Sequence, residues 1–278
     1  MSFIETAIKK IQGSAAASAA ARPQAVQPQP AARRAKSQAR PEVLAPQNVR
    51  QFKRTTLDAT VMEHNCILPQ VSDQSALRSY KILRTRLLQR MTASDWSSLA
   101  VIGTESGEGK TLTAINLAIA LAQDPSTYVF LVDLDLQRPR LAACLGMSFD
   151  KGLGDYLLGE AEIDDIIFNV GPERLAVIPN ARACEHSSEL LASDRMLRLH
   201  NVLETEVPRR IVIYDMPPLL LSDDVLTFAP QVDGVLLVVS EGVTARSSIE
   251  RAKEVLAEMN LVGVVLNRSA ERNDSAYY

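Results

Sequence analysis

Lys110 and Thr111, at the end of a glycine-rich turn, are the residues of this chain best suited to chemistry on phosphate groups. The segment 98–111 reads SLAVIGTESGEGKT and runs into an alanine- and leucine-rich helical pattern. This order predicts a strand, a phosphate-binding loop and a helix N-terminus. Loop N–H groups would face an anion, Lys110 would add positive charge, and Thr111 would offer a hydroxyl to Mg²⁺. The predicted contacts of a nucleoside triphosphate are Ser106, Gly107, Glu108, Gly109, Lys110, Thr111 and Leu112.

The loop departs at one position from the usual pattern G-x-x-x-x-G-K-[ST]. Thr104 stands where the first glycine is expected, and Gly103 comes one residue too early. Taken alone, the motif leaves open a second interpretation, a surface turn with a solvated lysine.

Three aspartates follow apolar runs downstream of this loop. Asp133 and Asp135 close the segment YVFLVDLD, and Asp215 closes IVIYD. Buried parallel strands read as continuous apolar runs and bind ligands at their carboxyl ends, so these side chains are expected at the edge that carries the loop. Carboxylates there can hold Mg²⁺ directly or through water. Each aspartate could instead cap a helix or turn, but the coincidence of three favours a metal site.

The elements that must position these residues alternate between strand and helix patterns. Strands are predicted at 98–103, 128–133, 175–179, 210–214, 234–239 and 262–266. Helices are predicted at 72–92, 111–123, 188–204 and 244–259, with shorter ones near 152–158 and 222–228. Such alternation predicts an α/β fold, a mainly parallel sheet flanked by helices on both faces.

The chain ahead of this pattern has a different composition. Residues 1–12 place apolar side chains on one face of an amphipathic helix. Residues 13–71 are assigned to a flexible, basic linker rich in Ala, Pro and Gln, a disordered tether between that helix and a domain at 72–270. The linker is either simply solvated or attracted to anionic lipid or an acidic partner. Residues 271–278 form a C-terminal tail.

Composition sets outer limits on function. The formal net charge is −3, which does not point to nucleic acid as a partner. No apolar run approaches the roughly 20 residues that span a bilayer, and no secretory signal is visible. The three cysteines, Cys66, Cys144 and Cys184, are too far apart for a disulfide framework or a metal cage, so a cytoplasmic setting is expected.

Five segments in this order and spacing resemble the bacterial tyrosine autokinases of capsular polysaccharide and exopolysaccharide export, often called BY-kinases. These segments are GEGKTLTAINLA, LVDLDLQRP, IVIYDMPP, VDGVLLVVS and GVVLN, and the resemblance covers roughly residues 75–278. It implies a P-loop NTPase fold of the deviant Walker type, close to the MinD/ParA-type ATPases. It also implies ATP and Mg²⁺ as cofactors, and autophosphorylation that regulates polysaccharide biosynthesis.

The resemblance assigns roles residue by residue. The implied catalytic residues are Lys110, Asp133, Asp135 and Asp215, and the implied metal ligands are Thr111, Asp133 and Asp215. Asn267 falls where relatives contact adenine, although a polar cap of the last strand would explain it as well. Tyr277 and Tyr278 fall in the C-terminal tyrosine cluster that is phosphorylated in trans, and a frayed chain end is the alternative for them.

Several residues depart from the family pattern. Gln137 replaces the first arginine of D-x-D-L-R-R-P, and Arg78 replaces the glutamate of a subunit-packing motif E-x-x-R-x-x-R. Glu105 occupies the position of the signature lysine of MinD/ParA-type loops, which argues against a segregation or positioning ATPase.

The resemblance also implies partners. A separate membrane protein that sets polysaccharide chain length is expected, together with a homo-oligomer and a location at the inner face of the membrane. Residues 1–12 could dock to that protein, lie on the membrane, or fold back on the kinase domain. The alternatives to a kinase are a MinD/ParA-like ATPase switch without kinase activity and a nucleotide-binding adaptor of the export machinery.

Overall fold

Eight strands form one sheet at the centre of the described residues, which in this computed structural model are 52–70, 73–171 and 174–269. The strands are β1 (Lys53–Thr55), β2 (Ser98–Gly103), β3 (Tyr128–Asp133), β4 (Phe168–Val170), β5 (Leu175–Ile178), β6 (Arg210–Pro218), β7 (Gly234–Ser240) and β8 (Leu261–Asn267). Their spatial order is β1-β4-β5-β3-β6-β2-β7-β8. Neighbouring strands are parallel except β4 and β5, which run antiparallel.

Ten α-helices connect and cover these strands within the described residues. They are α1 (Ala59–His64), α2 (Gln74–Ser94), α3 (Lys110–Ala122), α4 (Leu141–Leu145), α5 (Leu153–Leu157), α6 (Ile163–Ile166), α7 (Ser187–Leu191), α8 (Asp194–Thr205), α9 (Asp224–Phe228) and α10 (Arg246–Val255). Short 3-10 turns follow α9 and α10, at Ala229–Gln231 and Leu256–Glu258.

The helices lie on both faces of the sheet, because alternate strand residues feed two separate hydrophobic clusters. Ala100 and Ile102 of β2 belong to the cluster that contains α5, α8, α9 and α10 residues. Leu99 and Val101 of the same strand belong to the cluster that contains α1, α2, α3 and α4 residues. Strands buried on both faces explain the continuous apolar runs, and the predicted α/β fold is confirmed.

The helical pattern predicted over 188–204 is two helices instead of one. Ser193 separates α7 from α8, and its side-chain oxygen accepts a hydrogen bond from the backbone N–H of Met196 at 3.3 Å. A serine in this position caps a new helix more readily than it continues an old one. The prediction of one continuous helix was therefore wrong.

Residues assigned to the end of the predicted linker are folded. Lys53–Thr55 pair in parallel with Phe168–Val170, and Asp58 caps α1 by accepting from the N–H groups of Thr60 and Val61. Met62, Ile67 and Leu68 are buried, respectively 4%, 0% and 3% exposed. Burial of these apolar side chains can offset the entropy cost of ordering the backbone. The composition of residues 13–71 as a whole does not reveal this, because it averages these side chains with the Ala-, Pro- and Gln-rich residues before them.

An asparagine on α3 fixes this segment in place. The Asn116 Oδ1 accepts from the Leu68 N–H at 2.8 Å, and its Nδ2 donates to the Cys66 carbonyl at 3.1 Å. The folded domain therefore starts before the predicted boundary at residue 72. The predictions for residues 1–12, for most of the linker and for the tail at 271–278 lie outside the described residues.

The sheet order places β2 between β6 and β7, with β3 beyond β6 and β8 beyond β7. Across β3 and β6, Asp133 and Asp215 are register partners. The carboxyl ends of these strands and the loop after β2 therefore share one edge of the sheet. No helix in the described part of the chain has the length and hydrophobicity needed to cross a bilayer.

Candidate active site

The phosphate loop spans residues 104–109, between β2 and α3. Gly107 and Gly109 have φ angles of 83° and 90°, a left-handed conformation that side chains rarely adopt. Gly109 is also the N-cap of α3, and a Cβ atom there would collide with the Asn267 side chain. Both glycines are thus required by the turn that brings the chain into the helix.

Lys110 is the first residue of α3 and is buried, with 8% of its surface exposed. Its Nζ lies 3.4 Å from the backbone carbonyl of Glu105, on the other side of the loop. The ammonium group therefore lies within the concave side of the loop, where a phosphate chain would be bound.

Among the three aspartates Asp133, Asp135 and Asp215, the one most directly associated with the loop is Asp215, near the end of β6. Its carboxylate is hydrogen-bonded to the Thr111 side chain, and its Oδ1 has no hydrogen-bond partner among the described residues. Burial raises the pKa of Asp215 to about 7, and the Thr111 hydrogen bond and the Lys110 charge lower it by less. A buried carboxylate oxygen without a donor, next to a hydroxyl, is suited to a cation.

Asp133 is held more tightly by the backbone. Its Oδ1 accepts from the Asp135 N–H at 3.3 Å and its Oδ2 accepts from the Leu141 N–H at 3.2 Å. Burial, together with the nearby Asp215 carboxylate, raises the pKa of Asp133 well above its ordinary range. Asp133 therefore orders the turn into α4.

Asp135 faces the cavity beside the loop. Its Oδ1 accepts from the Arg138 N–H at 3.0 Å, and burial is the main cause of its raised pKa, which the charges of Lys110 and Arg138 offset in part. Because it is only partly buried, Asp135 can reach a bound substrate.

The cavity has a volume of about 410 Å³ and its wall includes most of the predicted nucleotide contacts. Those contacts are Ser106, Gly107, Gly109, Lys110, Thr111 and Leu112. Three arginines also line it, Arg138, Arg140 and Arg268, and they would complement a polyphosphate. The four implied catalytic residues come together here: Lys110 and Asp135 line the cavity, and Asp133 and Asp215 lie in register at the ends of adjacent strands.

Glu108 and Asn267 make hydrogen bonds within the protein. The Glu108 side chain is fully buried and accepts a hydrogen bond from the Thr104 hydroxyl, which leaves its backbone for the predicted nucleotide contact, and that contact stays a prediction. Asn267 donates from Nδ2 to the Glu108 carbonyl at 2.9 Å and accepts from the Arg268 N–H at 2.9 Å. These bonds are those of a strand-end cap, and the adenine contact stays a prediction.

Sequence reasoning missed a chain of hydrogen bonds that reaches the cavity wall. Gln137 Nε2 donates to Ser187 Oγ at 2.9 Å, and Ser187 Oγ donates to Asp224 Oδ1 at 2.8 Å. Gln137 lines the cavity, and Asp224 is fully buried. The three residues lie far apart in sequence and no local pattern connects them. Only the departure of Gln137 from the family pattern could have drawn attention to this part of the cavity wall.

The side chains present fit a magnesium ion that is completed by phosphate and water. Within the described ranges no group of three or more His, Cys, Asp and Glu side chains is arranged to hold a metal. Mg²⁺ is usually bound by one or two carboxylates together with substrate phosphates and waters. The Thr111 hydroxyl and the Asp215 carboxylate match that requirement, because the Asp215 Oδ1 lacks a donor.

Comparisons with known proteins agree with this geometry. The family model described as the CobQ/CobB/MinD/ParA nucleotide binding domain matches residues 99–277. Tyrosine-protein kinase YwqD of Bacillus subtilis (strain 168) is 28% identical over 221 residues, which cover 78% of this chain and 92% of YwqD. Tyrosine-protein kinase etk of Escherichia coli (strain K12) is 30% identical over 205 residues, which cover 73% of this chain and 28% of etk.

A solved structure supports the same relationship. The kinase domain of Escherichia coli tyrosine kinase ETK superposes with a TM-score of 0.63 at 29% identity, covering 71% of this chain and 77% of that domain. The chain therefore spans most of YwqD but less than a third of full-length etk.

Proposed function

The chain belongs to the CobQ/CobB/MinD/ParA family of nucleotide-binding domains, and we propose that within this family it is an ATP-dependent protein-tyrosine kinase. The observation that carries the proposal is the convergence of Lys110, Thr111 and Asp215 at one edge of the sheet, with Asp135 facing the same cavity. Two relatives that resemble the chain along most of its described length, YwqD and the ETK kinase domain, are tyrosine-protein kinases.

Phosphoryl transfer depends on positioning and charge neutralisation more than on covalent chemistry. The loop N–H groups at the N-terminus of α3 and the Lys110 ammonium, which reaches across the loop to the Glu105 carbonyl, would bind the β- and γ-phosphates. Thr111 and Asp215 would hold Mg²⁺, which when bound neutralises negative charge on the phosphates. Asp133, fixed by two backbone N–H groups, keeps the acidic strand ends in register.

Asp135 is the residue placed to accept the proton of a tyrosine hydroxyl. In the reaction, a bond forms between the tyrosine oxygen and the γ-phosphorus while the bond from that phosphorus to the bridging oxygen of ADP breaks. The proton released by the tyrosine passes to the Asp135 carboxylate, whose raised pKa makes it a better base than an exposed aspartate. The position of Asp135 in the wall of the cavity supports this assignment.

The biological setting is proposed from the resemblance of the sequence. Tyr277 and Tyr278 would accept phosphate from a neighbouring subunit in a homo-oligomer. The kinase would regulate capsule or exopolysaccharide assembly together with a separate membrane protein that sets chain length, at the cytoplasmic side of the membrane. Each phosphate would add about 1.5–2 negative charges to the tail and weaken its attraction to the acidic site.

A mixing experiment tests transfer between subunits. A Lys110→Met chain keeps both tyrosines but lacks the phosphate-binding cation, and a Tyr277→Phe/Tyr278→Phe chain keeps the site but lacks the acceptors. Each is expected to give no phosphotyrosine signal with Mg²⁺ and ATP, whereas the mixture is expected to label the Lys110→Met chain. An anti-phosphotyrosine blot and intact-mass spectrometry provide the measurement.

Other outcomes identify the alternative functions. ATP hydrolysis by the wild-type chain without any phosphotyrosine would favour an ATPase switch. The absence of nucleotide binding would favour an adaptor. Labelling of tyrosines other than Tyr277 and Tyr278 would keep the kinase but reject the tail as its substrate.

A further inference from the structure

Two carboxylates of the phosphate loop, Glu105 and Glu108, have no part in the chemistry derived above. Glu108 is 0% exposed. Its Oε1 accepts hydrogen bonds from the hydroxyls of Thr104 at 2.5 Å and Thr244 at 2.6 Å, and its Oε2 accepts from the Glu105 N–H at 3.0 Å. The carboxylate is therefore surrounded by three donors, and Glu108 does not line the cavity beside the loop.

The partners outside the loop belong to the connection between β7 and α10. Thr244 donates to Glu108 and accepts from the Ser240 N–H at 2.9 Å, which uses its hydroxyl as donor and acceptor. In the first turn of α10, the hydroxyl of Ser248 donates to Glu105 Oε1, and Ser248 is 4% exposed. Residues 240–248 thus contact the loop at two points.

The direction in which these two carboxylates point matters, because the loop is expected to bind an anion. A carboxylate in a loop that binds a triphosphate would repel the ligand if it faced the phosphates. Here both side chains are turned toward hydroxyl donors, and the residue in place of the first motif glycine, Thr104, closes the loop through Glu108. Such fixed contacts hold the loop in one conformation before the anion binds. Binding is then stronger, because the loop does not have to reorganise.

We propose that Glu105 and Glu108 are positioning residues that fasten the phosphate loop to the segment 240–248, through Ser248 and Thr244 respectively. The four residues form a carboxylate–hydroxyl clamp that sets the loop conformation for a nucleoside triphosphate. The proposal rests on the nucleotide site of the proposed function, and it assigns a role in nucleotide affinity to two carboxylates that do not line the cavity.

The first test removes the hydroxyls of the clamp. Thr244→Val keeps the shape of the side chain but deletes the donor to Glu108, and Ser248→Ala deletes the donor to Glu105. The dissociation constant for ATP, measured by isothermal titration on the full chain with Mg²⁺, is expected to rise about tenfold for Thr244→Val. Thr244→Ser restores the donor and should recover most of the affinity, which a purely steric effect of residue 244 would not allow.

The second test separates charge from hydrogen bonding. Glu108→Gln removes the negative charge but places an amide N–H₂ group among the three donors around this side chain. If the clamp sets the loop, Glu108→Gln binds ATP more weakly than wild type. If like-charge repulsion is the main effect of Glu108, the same variant binds ATP more tightly, and the proposal is wrong.

A third measurement does not depend on the nucleotide. Backbone hydrogen exchange of residues 104–109 in the nucleotide-free chain is expected to be faster in Thr244→Val and Ser248→Ala than in wild type. Thr205→Val is the matched control, because the Thr205 hydroxyl donates to the Asn201 carbonyl of its own helix and is exposed. It should change neither loop exchange nor affinity for ATP.

The outcomes distinguish failure of the clamp from failure of the proposed function. A wild-type chain that binds no ATP contradicts the proposed function, while the exchange measurement still decides whether the clamp holds the loop. Unchanged loop exchange and unchanged affinity in both clamp variants would overturn the clamp alone. A variant that is only less stable to heat, with wild-type affinity, would also overturn it.

Discussion

The carboxylate of Asp215 is buried at the metal-binding edge, and this location makes it sensitive to pH. Its pKa is raised to about 7 from an ordinary value of 3.8. Between these values the folded protein retains a proton that the unfolded chain has released, so folding stability falls as pH rises through this window. Above pH 7 both states are ionised at this residue, and the loss stays constant.

Asp215→Asn is therefore expected to stabilise the metal-free protein in a pH-dependent way. The free energy of unfolding of the variant should resemble that of wild type near pH 4 and exceed it increasingly as pH rises toward 7, by about 4 kcal/mol at pH 8. Urea unfolding in the presence of a chelator, at several pH values, measures this difference. A difference that does not vary with pH would show that the Asp215 charge is not the cause.

The same substitution should abolish the response to Mg²⁺. In wild type, added Mg²⁺ with nucleotide is expected to raise the melting temperature more at pH 8 than at pH 6, because a cation requires the ionised carboxylate. Asp215→Asn lacks that group, and it should show little Mg²⁺-dependent stabilisation at either pH.

Residues were predictable from the sequence where a local pattern carried the information. Lys110 ends a glycine-rich loop, Asp133 and Asp215 each follow an apolar run, and the parallel sheet then brings the three to one edge. Thr244 and Ser248 carry no local signal, and they lie 136 and 143 residues from the glutamates that they bind. Such contacts depend on tertiary packing, which periodicity does not encode.

At the scale of elements, the contact between α3 and the segment ahead of α2 is a specific anchor. Asn116 satisfies two backbone groups of that segment, the Leu68 N–H and the Cys66 carbonyl, and it is 1% exposed. A buried backbone group that loses its partner costs about 1–3 kcal/mol.

Asn116→Ala is accordingly expected to destabilise the protein by roughly 2–4 kcal/mol, from two lost hydrogen bonds and a small cavity. The amides of residues 66–68 should exchange faster with solvent. Asn201→Ala, at an exposed position of α8, serves as the control and should change stability by less than about 0.5 kcal/mol. Equal stability of the two variants would contradict the role of Asn116 as an anchor.

The longer elements were predictable and the shortest were not. The runs at 98–103 and 128–133 match β2 and β3, because buried strands of six residues give an unbroken apolar signal. The strands β1 and β4 have three residues each, too few to show a period. They form an edge of the sheet through pairing with one another, and neither sequence segment reveals its partner alone.

For the whole molecule, the main correction is where the folded domain begins. The segment 52–70 contributes β1, α1 and four buried apolar side chains, those of Phe52, Met62, Ile67 and Leu68, to the domain that contains the active site. Fully burying one such side chain contributes about 1.5–3 kcal/mol.

Two deletions test this boundary. The free energy of unfolding is expected to be at least about 3 kcal/mol lower for a chain that lacks residues 2–71 than for a chain that lacks residues 2–51. The second chain keeps the buried side chains of the segment 52–70. Chemical denaturation of both chains provides the comparison. Indistinguishable midpoints and slopes would place the start of the domain at residue 72 after all.

The sheet order has one further consequence for how the site tolerates change. The aspartates of the site lie at or near the ends of β3 and β6, on one side of β2. Thr244 and Ser248 come after β7, and Asn267 ends β8, on the other side of β2. The two groups meet at the phosphate loop without sharing a hydrogen-bond partner among those described. Substitutions on opposite sides should therefore combine almost additively in a double-mutant cycle, and the two halves of the site can diverge independently of each other.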